Sequence, residues 1–600
     1  MNPPPATALR LADSPAAQPK RGSDWIAPDC RGLNFYRIDR AFQDLLALHL
    51  APEVLAHFTP HFDRMGELAG NRLDELAATA DKHGPVLHAR DRYGRDEDWI
   101  DYHPAYREME RIAFAEFGLH AMSHRGGVLG WPEPAPLLVK YAFQYLFVQA
   151  EFGLMCPISV TDTSTFLIAR YGDESVKRRF FDRMVSQDME TLLKGTQFMT
   201  EKAGGSDVGA AELRAVREGD HWRLYGDKWF CSHADADVAL ILARPEGAPA
   251  GTRGLGLFAM PRRLDDGSRN SYRIVRLKDK LGTKSMASGE IVLDGAVAYA
   301  VGDVTRGLKQ MMDQVNLSRL SHGVRAASMM RRCLNESLVV ARNRSAFGRT
   351  IVDFPLLRRQ LMKILVPTEQ ALSGFVWATS AMGAAQKGDA AAEKLLRILT
   401  PLLKFRACRD NVKVATGAME VRGGNGYIED WINPRLVRDA HIGVLWEGTS
   451  NINGLDVITR AVAKEQAHMA LHAALQEKLA DATNLPVPEP FRTRLGGLLD
   501  RAVGFAEEVA ATPENETLCR AAASALYHAT TAVLLAWEGS EIGGRGGDAR
   551  RLLIARMVAD HRLSPRDPLA AGDEGWEAEA TDLLLSDDPV PLARAAALVG

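Results

Sequence analysis

At 600 residues the chain is too long for one hydrophobic core of ordinary size and is expected to divide into several domains. Its 46% hydrophobic and 25% charged residues are those of a globular enzyme, and a formal net charge of -3 supplies no general attraction to nucleic acid or anionic lipid, so any basic surface must be local. The six cysteines, Cys30, Cys156, Cys231, Cys333, Cys408 and Cys519, form no CxxC pair and no Cys/His cluster at zinc spacing, which predicts reduced thiols, no metal site and a cytoplasmic protein. No stretch reaches the roughly 18 uninterrupted apolar residues of a membrane span, so no membrane partner is expected.

Taken in order, residues 1–24 are proline-rich without a continuous apolar run and read as a disordered tail. Residues 25–190 carry apolar positions every three to four residues, as in YREMERIAFAEFGLHAM (106–122) and LLVKYAFQYLFVQAEFGLM (137–155), and predict an N-terminal helical domain. The second segment is apolar nearly all round and predicts a buried helix. From 191 to 303 the period shortens: HWRLYGDKWF, VALILAR, GLGLFAM, YRIVRL and EIVLDGAVAYA, separated by turn residues, predict a middle antiparallel β domain. Three long apolar-striped segments between 304 and 460 predict an antiparallel C-terminal bundle. A helical extension follows over 461–600. The predicted fold class is thus α+β, mostly helical.

Five stretches carry chemistry. In MTEKAGGSDV (199–208) two glycines let the backbone approach a ligand, while Thr200 and Ser206 offer hydroxyls to its polar edge. In DKWFCSHADAD (227–237) a strand delivers Phe230 and Ser232, an aromatic to lie against a ring system and a hydroxyl to bond its heteroatoms. RNRSAFG (342–348) offers Arg344 for a pyrophosphate and Phe347 for a planar ring. AMEVRGGNGY (418–427) places Gly423 and Gly424 after a helix. In HIGVLWEGTSNINGL (441–455) the carboxylate of Glu447 lies between a bulky aromatic and a small flexible run, which suits a catalytic base. Taken singly, these are also a loop, a core strand, a helix-dipole arginine, a helix cap and a surface charge.

Together and in this order, the stretches resemble the acyl-CoA dehydrogenase family over about residues 105–460. MTEKAGGSDV matches its TExxxGSD flavin loop, GDKWFCS its GxKxWIT strand, RSAFG its arginine-aromatic-glycine signature, EVRGGNGY its QILGGNGY loop and WEGTSNI its catalytic YEGTSQI. HPAYREM, MCPISVT, the tryptophan before the glutamate and the extension look like the AidB branch, in which a helical extension is implicated in DNA binding.

The resemblance implies a bound FAD and an acyl-CoA substrate, with Glu447 abstracting the α-proton while the β-hydrogen leaves as hydride to the flavin. It implies FAD contacts at Met199, Thr200, Ser206, Phe230, Cys231 and Ser232, and at Thr449 and Asn451 after the base. Arg344 and Phe347 align with contacts to the FAD of a neighbouring subunit, and Gly423 and Gly424 with a loop that approaches the cofactor. A homo-oligomer, a dimer of dimers, follows, with electron-transferring flavoprotein as electron acceptor. Arg319 and Trp446 align on the substrate side. Some members carry the base on the helix of SRLSHG, but Ser318 stands there, so Glu447 is the matching base. Pro355 replaces a glutamine that contacts FAD, and Glu420 the glutamine of QILGGNG. DNA is the alternative partner. It is disfavoured because residues 461–600 hold 13 Lys and Arg against 21 Asp and Glu, the wrong sign for neutralising phosphates, although Arg545, Arg550, Arg551, Arg556 and Arg562 form a local basic cluster.

Overall fold

The structure is a computed structural model that describes residues 26–481, 487–565, 567, 569 and 575–600; the expected tail at 1–24 lies outside them. The chain forms two compact units, one of residues 72–321 and one joining the described residues up to 71 to 322–600.

Helices α1 (Arg40–His49) and α2 (Pro52–Gly70) open the second of these units. Asp39 caps α1 by accepting the Phe42 N–H, and Pro52 starts α2, where its missing N–H costs nothing. The other unit begins with α3 (Arg72–Lys82), the hairpin β1 (Val86–Arg90) and β2 (Asp96–Asp101), α4 (Pro104–Glu110), α5 (Leu137–Val148), α6 (Met155–Tyr171) and α7 (Glu174–Met184). All twelve residues of α5 are buried, as its unbroken apolar run predicts. The hairpin departs from the helical expectation. Its strands, VLHAR and DEDWID, are short and the second is highly charged, and their pairing shows in register, Leu87 opposite Ile100 and His88 opposite Trp99, rather than in an apolar stripe. The helix expected across 106–122 also breaks: α4 passes into a π-turn at Arg111–Glu116, and Gly118 leaves the helix with φ of 57°.

Seven strands follow: β3 (Gly195–Phe198), β4 (Arg214–Glu218), β5 (His221–Ser232), β6 (Val238–Pro245), β7 (Gly256–Pro261), β8 (Tyr272–Leu277) and β9 (Ser288–Ala300). Their order is β3-β6-β4-β5-β9-β7 with β8 beside β9, and β7 also pairs with β6, so the sheet closes on itself. Most pairs are antiparallel as expected. Strand β6 runs parallel to β3 and β4, because β5 lies between β4 and β6 in sequence and carries the chain back before β6 begins. The inward side chains of β6 and β7, among them Val238, Leu240, Leu242 and Leu257, pack on Leu167 and Ile168 of α6 and Phe180 of α7.

The long helix α8 (Gly307–Asn343) ends in the two-residue strands β10 (Ser345–Ala346) and β11 (Arg349–Thr350), followed by α9 (Pro355–Gln386) and α10 (Ala390–Arg422). Pro355 is the first residue of α9, and Asp389 caps α10. Then come α11 (Asn433–Gly443), α12 (Ser450–Leu455), α13 (Ala467–Asp481), α14 (Glu489–Ala511), α15 (Cys519–Gly544), α16 (Arg550–Arg562), α17 (Gly575–Leu585) and α18 (Leu592–Val599). The extension is fastened to the bundle by buried polar bonds as well as apolar stripes such as Leu495, Leu499, Leu552 and Met557. Arg551 donates to Glu369 of α9 (2.6 Å) and to Glu538 of α15 (2.8 Å), Arg331 of α8 donates to Glu369 (2.5 Å), and Gln370 of α9 donates to Thr531 of α15 (2.6 Å).

Candidate active site

In the unit of residues 72–321, the chain leaves β3 at Phe198 as a loop carrying Met199, Thr200 and Ser206. The structure brings this loop to β5: the Trp229 N–H donates to the Thr200 carbonyl (2.9 Å) and Lys228 Nζ to the Met199 carbonyl (3.2 Å). Lys228 is buried and paired with Glu201 (2.5 Å), which also accepts the backbone N–H groups of Glu212 (2.6 Å) and Leu213 (3.2 Å). Burial pulls the Lys228 ammonium below its ordinary range, against the opposing pull of Glu201. A buried pair of this kind is costly to split, so it holds the loop in one place. Gly204 is required by packing, since a Cβ there would lie 2.3 Å from the Asp207 carbonyl oxygen. Gly205 meets only the Thr200 methyl at 3.7 Å and leaves its backbone open to a ligand.

On β5, Phe230 is 55% exposed and Ser232 half-buried, with the Ser232 carbonyl fixed by the Thr196 hydroxyl (2.6 Å). Cys231, between them, is fully buried, and burial pushes its thiol far above the ordinary range. Of Cys231, only the backbone is left for a ligand on the Phe230 side, because neighbours on a strand point to opposite faces. Arg319 sits in α8 with its guanidinium buried and donating to Asn316 (3.3 Å); Ser318 is buried beside it.

In the helical unit, Glu447 stands in the turn between α11 and α12 with φ of 53°, and Gly448 follows at 92°. The left-handed conformation costs a non-glycine residue about 1–2 kcal/mol and persists where surrounding contacts impose it. Here Lys404 Nζ (2.5 Å) and Asn453 Nδ2 (2.7 Å) both donate to the Gly448 carbonyl, and Asn453 also reaches the Thr449 carbonyl (2.9 Å). A Cβ at Gly448 would lie 2.8 Å from Ile452 Cγ2, so glycine is obligatory after the carboxylate. Thr449 is the N-cap position of α12, and Asn451 in its first turn accepts from Arg520 (3.3 Å). Trp446 is half-buried with its ring 5.3 Å from that of His322. Burial, then Arg325 and Lys404, hold His322 well below its ordinary range, so it is a neutral neighbour of the turn.

Arg344 and Phe347 lie elsewhere in this unit. Phe347 (φ 50°) and Gly348 (φ 80°) form the tip of the β10–β11 hairpin, a two-residue loop with both residues left-handed, and the Phe347 ring is 96% exposed. Arg344 is exposed at the hairpin's foot. Gly423 and Gly424 end α10, and a Cβ at either would meet nothing within 4 Å. They lie about 28 Å along that helix from Lys404, the residue that holds the Glu447–Gly448 turn, so one copy of the unit does not gather all the candidate residues at one point.

Sequence reasoning passes over Glu201, Lys228, Lys404, His322 and Asn453. The signal for Lys404 was available: a lysine on an otherwise apolar helix face, in LTPLLKFRAC, needs a buried acceptor.

The residues present fit a flavin: an exposed aromatic alternating with a strand hydroxyl, an open glycine beside a threonine, and an exposed guanidinium suited to pyrophosphate.

Residues 26–190 match the model of the adaptive response protein AidB N-terminal domain, 196–296 that of the acyl-CoA dehydrogenase middle domain, and 305–463 that of the acyl-CoA dehydrogenase C-terminal domain. Acyl-CoA dehydrogenase family member 11 of Caenorhabditis elegans is 31% identical over 460 residues, covering 75% of this chain and 74% of that one. Putative acyl-CoA dehydrogenase AidB of Escherichia coli is 32% identical over 396 residues, covering 64% and 70%. Among solved structures, C. elegans ACDH-11 in complex with C11-CoA superposes with a TM-score of 0.83 at 26% identity, covering 92% of this chain and 95% of that one.

Proposed function

This chain belongs to the acyl-CoA dehydrogenase family, on its AidB-like branch, and we propose that it introduces an α,β double bond into an acyl-CoA thioester with Glu447 as the base. It is an oxidoreductase and a flavoprotein whose cofactor is FAD. The observation that carries the assignment of the base is the strained turn at Glu447: a left-handed glutamate, followed by an obligatory glycine and pinned from Lys404 and Asn453, is an arrangement that packing alone gives no reason to keep. The thioester α-proton is weakly acidic, so the base must meet it at fixed geometry, and the proposed role of the Glu447 backbone N–H is to polarise the thioester carbonyl as the enolate develops. FAD supplies the acceptor for the β-hydride. Thr200, Ser206, Phe230 and Ser232 hold and orient it, with the backbones of Met199 and Cys231, while Thr449 and Asn451 serve it after the base. Arg319 and Trp446 face the acyl-CoA. The C11-CoA bound by the C. elegans relative supports an acyl chain of about that length as substrate. Flavin bleaching against a panel of acyl-CoA thioesters tests the reading; no bleaching with any chain length would overturn it. Electron-transferring flavoprotein is the proposed acceptor.

The exposed Phe347 tip and the distance of Gly423–Gly424 from the base turn support a site completed by a second copy of the chain, in a homotetramer in which Arg344 reaches the neighbour's FAD pyrophosphate. Arg344→Ala should therefore weaken FAD retention by about 10- to 100-fold, the worth of one charge-assisted hydrogen bond, as read by flavin release during dialysis. Unchanged retention would remove Arg344 from the cofactor site.

A DNA-binding role is the weaker reading. Of the five clustered arginines, Arg545 pairs with Glu541 (3.1 Å), Arg550 with Asp548 (2.6 Å), Arg551 is buried, and Arg556 donates to the Leu598 carbonyl. Only Arg562 is exposed without such a bond among the described residues. Full-length protein titrated into labelled duplex DNA across a salt series should show no tight binding at physiological salt; tight binding with a steep salt slope would reverse the ranking.

A further inference from the structure

The helical unit holds a cavity of about 380 Å³ where α9 and α10 of the bundle meet α13 and α15 of the extension, and none of the candidate active-site residues lines it. Its size falls within the roughly 300–1,000 Å³ of small-molecule sites. The walls are two indoles, Trp377 and Trp537, and a floor of alanines, with Lys478, His49, Ser380 and Asp389 as the polar groups. Asp389 is accounted for: it caps α10, accepting the N–H groups of Ala391 (2.9 Å) and Ala392 (3.1 Å). Lys478, His49 Nε2 and the Trp537 indole N–H are not.

Lys478 makes no ion pair among the described residues. Its ammonium lies 3.3 Å from the centre of the Trp537 ring and 5.8 Å from that of Trp377, and burial lowers its pKa. The buried carboxylate of Glu538 is engaged through Oε2 by Arg551 (2.8 Å) and Ser373 (2.7 Å) and makes no ion pair with Lys478 among the described residues. The Ser380 hydroxyl spends its proton on the Val376 carbonyl (2.9 Å), so its contact with His49 Nδ1 (3.4 Å) uses the imidazole proton there. That leaves His49 Nε2 bare, with no partner among the described residues; the Trp537 indole N–H is likewise buried and unpaired among them. Burial, then Lys478 and Arg551, push the His49 pKa down to about 4, so the ring is neutral at physiological pH. An orphaned donor in an apolar wall costs about 1–3 kcal/mol, and a ligand acceptor that pairs with the indole N–H recovers that cost; the bare Nε2, itself an acceptor, is not a partner for an anion.

We propose that this cavity binds a small hydrophobic carboxylate, its head drawing Lys478 off the Trp537 ring and accepting from the ammonium and the indole N–H, its apolar body lying between the indoles on the alanine floor. The anion is favoured over a cation because Lys478 is half-buried on the cavity and makes no ion pair among the described residues, whereas Asp389 is exposed and its carboxylate is engaged by the N–H groups at the start of α10. An ammonium over an indole is worth about 0.5–2 kcal/mol, whereas a charge-assisted hydrogen bond is worth about 1.5–3 kcal/mol, so the exchange is favourable.

The test is calorimetric titration of the full-length holoenzyme with octanoate, with n-octylamine as the opposite-charge probe, in the presence of a saturating unreactive acyl-CoA thioether that fills the catalytic site. Octanoate should bind and octylamine should not. Lys478→Met, which keeps the apolar stem, should weaken octanoate about 10- to 100-fold, the loss of one charge-assisted bond, with FAD content and turnover unchanged. Ala384→Trp, which fills the cavity, should abolish binding. Equal octanoate affinity in Lys478→Met, equal binding of octylamine, displacement of octanoate by the thioether, or no heat with octanoate would each overturn the proposal.

Discussion

Glu447→Gln is expected to fold, retain FAD and lose dehydrogenase turnover by about 100- to 10,000-fold, the range a positioned general base contributes. The amide is nearly isosteric and can occupy the same left-handed turn, because the bonds from Lys404 and Asn453 that pin it run to the Gly448 and Thr449 carbonyls. Stopped-flow flavin bleaching measures the chemical step directly, and FAD content measured on the same sample separates lost chemistry from lost structure. Turnover within a few-fold of the parent would assign proton abstraction to another group.

Arg551→Met should cost about 3–5 kcal/mol of stability, because it strips one buried cation from two buried carboxylates. Burial on its own raises the Glu369 pKa, but Arg331 and then Arg551 outweigh it and hold the carboxyl below its ordinary value of 4.5. A carboxyl depressed in this way contributes stability that is complete above its unfolded pKa and is lost as pH falls through the lower folded value. The difference between parent and variant should therefore be full at neutral pH and shrink under strongly acidic conditions. The urea midpoint at pH 7 and at low pH measures both statements, and an unchanged midpoint at pH 7 would mean that the network contributes nothing net. By the same bonds, removing the extension would leave Glu369 and Gln370 facing an empty side of the bundle, so 461–600 is expected to be needed for stability.

Much of this was legible in the sequence because it is written locally. Three-to-four periodicity is a property of a single helix, and it located α5, α8, α9 and α10. The TExxxGSD-like and WEGTS-like stretches are short enough to be read without knowing what they touch, and they singled out Thr200, Ser206 and Glu447. The hairpin β1–β2 was missed because its pairing shows in cross-strand register, which two short segments do not display. The inward turn of Cys231 was missed for a related reason: strand alternation becomes an inside and an outside only once the sheet has closed.

The basic cluster shows the same division. Five arginines between 545 and 562 read as one face, but Arg551 is bonded to Glu369, 182 residues earlier in the chain, and that partner is chosen by which helices meet. Sequence alone determined the order of the helical and β regions and the family, and it singled out Glu447 as the candidate base, since periodicity and motif depend on neighbours along the chain. Tertiary structure decided the left-handed turn at Glu447, the burial of the extension's charges and the cavity under Trp537, because ion pairing and cavity formation depend on distances between segments that composition and spacing do not contain.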